Sequence, residues 1–164
     1  MNSPNESLAA ALPQPAPTGL IDGVRSRQLS HLVNARNRDC YRNAYRALCH
    51  VSGGQYVEGL VVLEDAGFAL IEHGWIEHAG KAILDPTPNF CEEERRATYF
   101  PVFRWTLQEL RALLKHRMKS GGGATFPIRD MLEERRKTNA VWMEATRVAL
   151  QHRAAAMRGC VAAV

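Results

Sequence analysis

The sequence predicts an α+β fold in which one helix packs on a small antiparallel sheet and further helices follow. Residues 39–51 repeat apolar side chains at helical spacing, residues 56–85 change to segments rich in β-branched and aromatic residues, and residues 106–157 return to helical spacing. A helix, a run of neighbouring strands and then more helices is the order typical of the α+β class.

The composition predicts one globular domain that folds without disulfides. The chain has 164 residues, of which 46% are hydrophobic and 23% are charged, and a chain of this length can bury its own core. Its four cysteines include no C-x-x-C pair, which argues against zinc ribbons, iron–sulfur clusters and thioredoxin-type sites. We expect a single domain over residues 22–158, with a core part at 38–103 and a helical part at 104–158, between flexible tails at 1–21 and 159–164.

The first 21 residues do not follow the order of an export signal. The apolar run from Leu8 to Leu12 has Glu6 where a positive region should stand, and three prolines follow it. The run is also too short to cross a bilayer. We expect no membrane partner and a cytoplasmic location, where thiols stay reduced.

The first half of the chain predicts two helices and a three-stranded meander. A short helix is expected at 22–36, and a stronger one at 39–51 starts at Asp39 as N-cap and ends at Ser52-Gly53-Gly54. The strands are expected at 56–63, 68–79 and 81–85, with turns at 64–67 and Gly80. Prolines at positions 86 and 88 end the last strand.

The second half predicts a charged connection and then helices. The connection covers residues 89–98, and a helix follows at 106–119, where Thr106 and Glu109 have the spacing of a capping box. After a glycine-rich break, residues 128–157 predict one long helix or two. The candidates for burial in this last part are Met131, Val141, Trp142, Ala145, Val148 and Leu150.

Charge is distributed unevenly along the chain. From Arg104 onward twelve basic and five acidic residues give a net charge of +7, and the rest of the chain has nine basic and twelve acidic residues, a net charge of −3. We favour a solvated helical surface. The alternative is a patch for an acidic protein partner or a nucleic acid, although the sparse aromatic residues give base stacking little support.

Three residues in the first half have the types that nucleophilic catalysis needs. Cys40 stands in the opening turn of a predicted helix, where unpaired N–H groups and the helix dipole favour a thiolate. His73 lies on a strand that would hold a base rigidly. Asp85 ends the next strand, so the hairpin brings it near His73, where a carboxylate can orient the imidazole. The alternatives are a buried structural cysteine, a core histidine and a turn-forming aspartate.

Five short motifs occur in a fixed order along residues 38–103. They are Cys40-Tyr-Arg-Asn43-Ala44, Tyr56-Val-Glu-Gly59, Glu72-His-Gly-Trp75, Asp85-Pro-Thr87 and Tyr99-Phe100. This pattern resembles small bacterial and phage proteins of the transglutaminase-like and papain-like cysteine enzyme superfamily, except that Gly74 stands where alanine is usual. The resemblance implies that superfamily's fold and a triad of Cys40 as nucleophile, His73 as base and Asp85 as orienting carboxylate. It implies no particular substrate.

Three further residues are candidates for substrate or oxyanion support. Asn43 lies one helical turn after Cys40 and either faces the same cleft or bonds backbone in the adjacent loop. Glu58 lies among apolar neighbours on its strand, so a buried partner such as an arginine is more expected than contact with substrate. Trp75 shares a strand face with His73, where it walls the cleft or packs in the core.

These observations predict a cysteine hydrolase or acyltransferase that acts on an amide, protein, peptide or peptide-like substrate through a thioester. The backbone N–H of Cys40 would help to stabilise the oxyanion. No cofactor and no metal is expected, because no cysteine and histidine pair has the spacing typical of zinc ligands. The alternative is a non-enzymatic adaptor or inhibitor that binds a protein or nucleic-acid partner through its basic C-terminal helices.

Overall fold

A four-stranded antiparallel sheet with helices packed around it forms the fold. In the computed structural model the described residues are 21–78, 82–91, 95–119, 121, 123, 125–132 and 135–161. The strands are β1 (Gln55–Leu63), β2 (Ala69–His78), β3 (Ala82–Leu84) and β4 (Ala97–Thr106), in the spatial order β3-β2-β1-β4. The helices within the described residues are α1 (Gly23–Leu32), α2 (Cys40–Leu48), α3 (Leu107–Lys119) and α4 (Arg135–Val161).

The α+β class and the first three strands agree with the sequence prediction. β2 pairs with both β1 and β3 in antiparallel registers that match Gln55 with Glu77 and Ile76 with Leu84. β3 is shorter than predicted, and it pairs only with the last three residues of β2. The predicted turn at Gly80 lies outside the described residues.

The sheet has a fourth strand that the sequence analysis placed partly in a charged connection. β4 pairs antiparallel with β1 along its whole length, with an irregularity in register between Glu58 and Gly59. Pro101 pairs opposite Gly59 beside this irregularity, on an edge strand, and edges and bulges are the places where a sheet tolerates proline. The prediction that residues 89–98 form only a connection is therefore wrong for its last two residues. The sheet has four strands, of which β1, β2 and β3 form the meander and β4 pairs with β1 on its other side.

The two faces of the sheet bury different sets of side chains. On one face α1, α2 and α3 cover Tyr56 and Ile76, and α4 covers the neighbouring Leu60 through Ala145 and Ala149. The opposite face carries a cluster of aromatic and branched side chains, formed by Val57, Val61, Trp75, Ile83, Phe90, Ala97 and Tyr99. The segment that follows β3 contributes to this second cluster, so it crosses the face of the sheet that holds His73.

The helical second half differs from prediction mainly at its ends. The capping box is confirmed, since the Thr106 amide donates to Glu109 Oε2 (2.7 Å) and the Glu109 amide donates to Thr106 Oγ1 (3.2 Å). A short 3₁₀ helix at Ile128–Met131 precedes the single long helix α4. Leu150 was predicted to be buried and is 44% exposed, because it lies on the outer side of α4, while the side chain of Met131 lies outside the described set.

Within the described residues, the folded domain extends further at both ends than the sequence predicted. α4 continues through Val161, three residues into the segment predicted as a C-terminal tail. Ile21 forms a parallel bridge with Ile83 and packs against the second core cluster, so residue 21 belongs to the folded domain. Residues 1–20 and 162–164 lie outside the described residues. In the part of the chain that is described, none of the helices has the length and apolarity needed to cross a membrane.

Candidate active site

Cys40 is the first residue of α2, and its thiol is partly exposed. Asp39 occupies the N-cap position, but its side chain makes no capping hydrogen bond and lies 4.0 Å from Arg42 instead. The prediction that the Asp39 side chain caps the helix is therefore wrong. The first N–H groups of a helix have no acceptor within the helix. Because Asp39 does not accept from them, the N–H groups of the first turn, which carries Cys40, have no side-chain cap from Asp39.

Asn43 fixes the approach to α2 from the preceding loop. Its side-chain amide donates to the Arg36 carbonyl (2.6 Å), and its Oδ1 accepts from the Arg36 N–H (3.1 Å). Asn43 is completely buried, as are Ala44 and Ala47, which pack α2 onto the sheet. Of the two roles considered for Asn43, the structure places it in the one that bonds loop backbone.

His73 and Asp85 form a buried pair beyond the end of β3. His73 Nε2 lies 2.6 Å from Asp85 Oδ2, and the two residues are 2% and 0% exposed. If the register of β2 and β3 continued, Asp85 would lie opposite Trp75, so His73 and Asp85 are offset by two residues on one face. The predicted proximity of these two residues is confirmed.

The Asp85 carboxylate has two further donors. The Thr87 amide donates to Oδ1 (3.1 Å), and the Tyr99 hydroxyl donates to Oδ2 (2.9 Å). The Asp85 amide itself donates to Ser26 Oγ (3.0 Å) on α1. Because these contacts come from three different elements, the carboxylate is held in one position, and its buried charge is compensated by hydrogen bonds.

The His73 ring is held between aromatic side chains. Phe90 stacks on it with ring centroids 4.0 Å apart and an interplanar angle of 22°, and Trp75 lies almost parallel at 6.4 Å on the same strand face. Trp75 is completely buried and packs in the second core cluster. The predicted shared face is confirmed, and Trp75 supports His73 from inside the core.

The protonation of His73 is governed by burial and by Asp85. Burial would lower the pKa of His73, but the charge of Asp85 and its hydrogen bond, with smaller contributions from Cys40, outweigh burial and raise that pKa to about 10. His73 is therefore an imidazolium at neutral pH. Since Asp85 occupies Nε2, the Nδ1 nitrogen is the one left to face Cys40, whose proximity also raises the pKa of His73.

Glu58 lies on the opposite face of the sheet and holds the segment before α4. It is completely buried, and its carboxylate accepts hydrogen bonds from the Tyr56 hydroxyl (2.7 Å), the Ile128 amide (2.5 Å) and the Arg129 amide (3.0 Å). Burial raises the pKa of Glu58, and these donors oppose that rise. The buried partners expected from the sequence are therefore present, and they are structural groups of the chain itself.

The other cysteines lie in different environments. Cys91 is buried and donates to the Asp85 carbonyl (3.0 Å), so it stabilises the backbone at Asp85. Cys49 and Cys160 are exposed, and Cys160 lies on α4 rather than in a tail. The contacts of Cys91, Phe90 and Tyr99 were not predicted from the sequence, because they depend on the path of the chain after β3 and on the fourth strand.

Gly74 allows the first turn of α2 to lie directly against β2. A Cβ atom at this position would lie 2.7 Å from Tyr41 Cδ1 and 3.1 Å from Tyr41 Cα. An alanine at this position therefore requires a shift of this turn. The glycine fixes how closely Cys40 approaches the strand that carries His73.

Gly74→Ala is expected to destabilise the protein by about 1–2 kcal/mol, the usual cost of overpacking, and to slow alkylation of Cys40 several-fold. Unfolding in urea and mass spectrometry of the alkylated protein measure the two effects. Gly159→Ala is the matched control, because a Cβ there would meet no atom within 4 Å. Unchanged stability and an unchanged Cys40 rate in Gly74→Ala would contradict the proposed role of this contact.

Among the described residues, no group of three or more histidine, cysteine, aspartate or glutamate side chains is arranged to hold a metal ion.

Comparisons with known proteins give no family. No protein-family model, no curated protein and no solved structure matches this chain. Conclusions about function therefore depend on the residues and their geometry.

Proposed function

We propose that this protein is a cysteine-dependent hydrolase or acyltransferase that acts on an amide bond of a protein, peptide or peptide-like substrate. The observation that supports it best is the buried pair of His73 and Asp85, 2.6 Å apart, together with a free thiol at the start of α2 that is close enough to raise the pKa of His73. An imidazolium next to a thiol at a helix N-terminus is the environment in which a cysteine is a strong nucleophile. The resemblance to transglutaminase-like and papain-like enzymes supports the same assignment.

The first half-reaction transfers the acyl group to the protein. The Cys40 thiolate forms a bond to the substrate carbonyl carbon, and the negative charge that develops on the carbonyl oxygen faces the N–H groups of the first turn of α2. The His73 imidazolium then gives its Nδ1 proton to the leaving amine as the carbon–nitrogen bond breaks. The products are a free amine and a thioester on Cys40.

The second half-reaction releases the acyl group. Neutral His73 accepts a proton from water or from an amine, which attacks the thioester carbonyl, and the carbon–sulfur bond breaks. The product is an acid or a new amide, and the thiolate and imidazolium are restored. Asp85 holds the ring orientation and stabilises its positive charge throughout. Four free thiols suit a reducing compartment, so we place this reaction in the cytoplasm.

The proposal is tested with para-nitrophenyl acetate, an activated acyl donor that needs no specific substrate pocket. The wild-type protein should release a burst of nitrophenolate and gain one acetyl group, located at Cys40 by mass spectrometry, which water or hydroxylamine then removes. Cys40→Ser should lose the burst, and the control Cys49→Ser should retain it. A burst that persists in Cys40→Ser, or acetyl groups spread equally over Cys40, Cys49 and Cys160, would overturn the proposal.

A further inference from the structure

An open groove separates α2 from α3 on the helical side of the sheet. It has a volume of about 520 Å³, and it is distinct from the triad, whose residues do not line it. Among the described lining residues, the one that belongs to α2 is Tyr45, which lies five residues after Cys40. At the helical rise this is about 7.5 Å along the axis.

The floor of the groove is apolar. It is formed by Tyr45, Leu114, Met118 and Phe126, and the rings of Tyr45 and Phe126 have centroids 5.4 Å apart. Met118 is 68% exposed, although it is one of the large apolar side chains of this surface. Aromatic and aliphatic groups in a concave site are the usual lining for an apolar side chain of a ligand.

The rim of the groove is positively charged. Arg111, Lys115 and Lys119 line it from α3, and their spacing of four residues places them on one face, about 6 Å apart along the axis. All three side chains are exposed, and no carboxylate is found among the described residues that line the groove. The rim therefore complements a ligand that carries several negative charges.

We propose that this groove binds an acidic polypeptide segment that contains at least one large apolar side chain. The three cations pair with carboxylates of the segment, and the apolar side chain lies between Tyr45, Phe126 and Leu114. A nucleic-acid backbone would satisfy the cations but would leave the aliphatic part of the floor, Leu114 and Met118, without a partner, so the combination favours a peptide. The inference depends on the groove alone and not on the reaction proposed for Cys40.

The binding is tested by fluorescence anisotropy with the full chain and a labelled peptide, Glu-Glu-Phe-Glu-Leu-Glu flanked by Gly-Ser linkers. We expect measurable binding at low salt that weakens as the salt concentration rises. The paired charge reversal Arg111→Glu/Lys115→Glu should weaken binding about tenfold or more, and Met118→Ser should weaken it several-fold. Arg158→Glu is the matched control for the single reversals Arg111→Glu and Lys115→Glu, because it makes the same charge change on an exposed residue of α4 outside the groove.

Two altered peptides separate the two parts of the site. Glutamine in place of glutamate should remove the salt dependence and most of the affinity, and serine in place of phenylalanine and leucine should weaken binding without removing the salt dependence. Circular dichroism establishes that the variants are folded. The proposal fails if the acidic peptide does not bind, if the single reversals have no more effect than Arg158→Glu, or if a labelled thymidine oligonucleotide binds more tightly and loses its binding in the paired variant.

Cys40→Ser distinguishes this proposal from the enzymatic one. It should leave peptide binding unchanged and abolish the acyl burst, while the groove variants should leave acetylation of Cys40 by para-nitrophenyl acetate unchanged. Loss of peptide binding in Cys40→Ser would place the peptide at the triad instead and would overturn the assignment of the groove.

Discussion

Asp85→Asn is expected to lower the free energy of unfolding by about 3 kcal/mol near pH 6.5 and by much less above pH 10. The variant removes the negative charge that keeps His73 protonated, and breaking a buried ion pair typically costs about 3–5 kcal/mol. Asparagine has nearly the same shape and can still accept from His73 Nε2, but its NH2 group then faces the Thr87 amide, which adds a smaller cost that does not change with pH. The expected change is therefore in charge and not in packing.

The pH dependence follows from the sign of the His73 shift. Asp85 raises the pKa of His73 to about 10 in the folded protein, above the ordinary value near 6.5 for an unfolded chain. A raised pKa contributes stability that is fully present below about pH 6.5 and is lost as the pH rises through about 10. In Asp85→Asn the carboxylate charge no longer opposes the effect of burial on the pKa of His73. We therefore expect a neutral ring, and the pH-dependent stabilisation is then absent.

Urea unfolding at several pH values between about 6 and 10.5 measures the difference between the two proteins. The difference should shrink steadily as the pH rises. A difference that stays constant over this range would show that His73 is not a cation in the folded protein. Since Tyr99 donates to the same carboxylate oxygen, Tyr99→Phe serves as a control that removes a hydrogen bond from Asp85 but keeps its charge.

Glu58→Ala is expected to destabilise the protein by about 3 kcal/mol or more. It leaves the Tyr56 hydroxyl and the amides of Ile128 and Arg129 without the acceptor that each has in the wild type, and an unsatisfied buried donor costs about 1–3 kcal/mol. The segment that these amides belong to also carries Phe126, so the floor of the groove between α2 and α3 should become less rigid.

Unfolding in urea gives the stability of Glu58→Ala, and limited proteolysis reports cleavage between residues 125 and 132. Glu72→Gln is the matched control, because Glu72 pairs with Arg129 at 2.5 Å but is 52% exposed. An exposed ion pair contributes about 1 kcal/mol or less. Equal effects of the two substitutions would contradict the structural role assigned to Glu58.

The local part of the site was predictable from the sequence. The start of α2 is marked by a helical repeat of buried residues, and Cys40 stands at that start. The hairpin of β2 and β3 is marked by β-branched residues that end at prolines, and this is sufficient to bring His73 near Asp85. Both predictions depend only on residue patterns within single helices or strands and on the short connection between β2 and β3.

The missing part depended on contacts between distant segments. β4 contains Pro101, which argues locally against a strand, and its pairing with β1 is fixed by burial on both faces of the sheet. Without β4 the Tyr99 hydroxyl has no predictable partner. For Glu58 the sequence indicated a buried partner without identifying the ones observed, because two of its three donors are backbone amides about seventy residues away, and backbone amides carry no signal in the sequence.

Competitive alkylation of the free thiols tests the central claim most directly. An ordinary thiol is only about 1% thiolate near pH 6.5. Cys49 and Cys160 are more exposed than Cys40, so exposure alone would make iodoacetamide label those two cysteines faster. Limiting iodoacetamide should nevertheless label Cys40 about tenfold faster than Cys49 or Cys160. Both His73→Ala and His73→Gln should remove that advantage. Equal rates for the three cysteines in the wild type, or an advantage of Cys40 that survives the loss of His73, would contradict the assignment of Cys40, His73 and Asp85 as a catalytic triad.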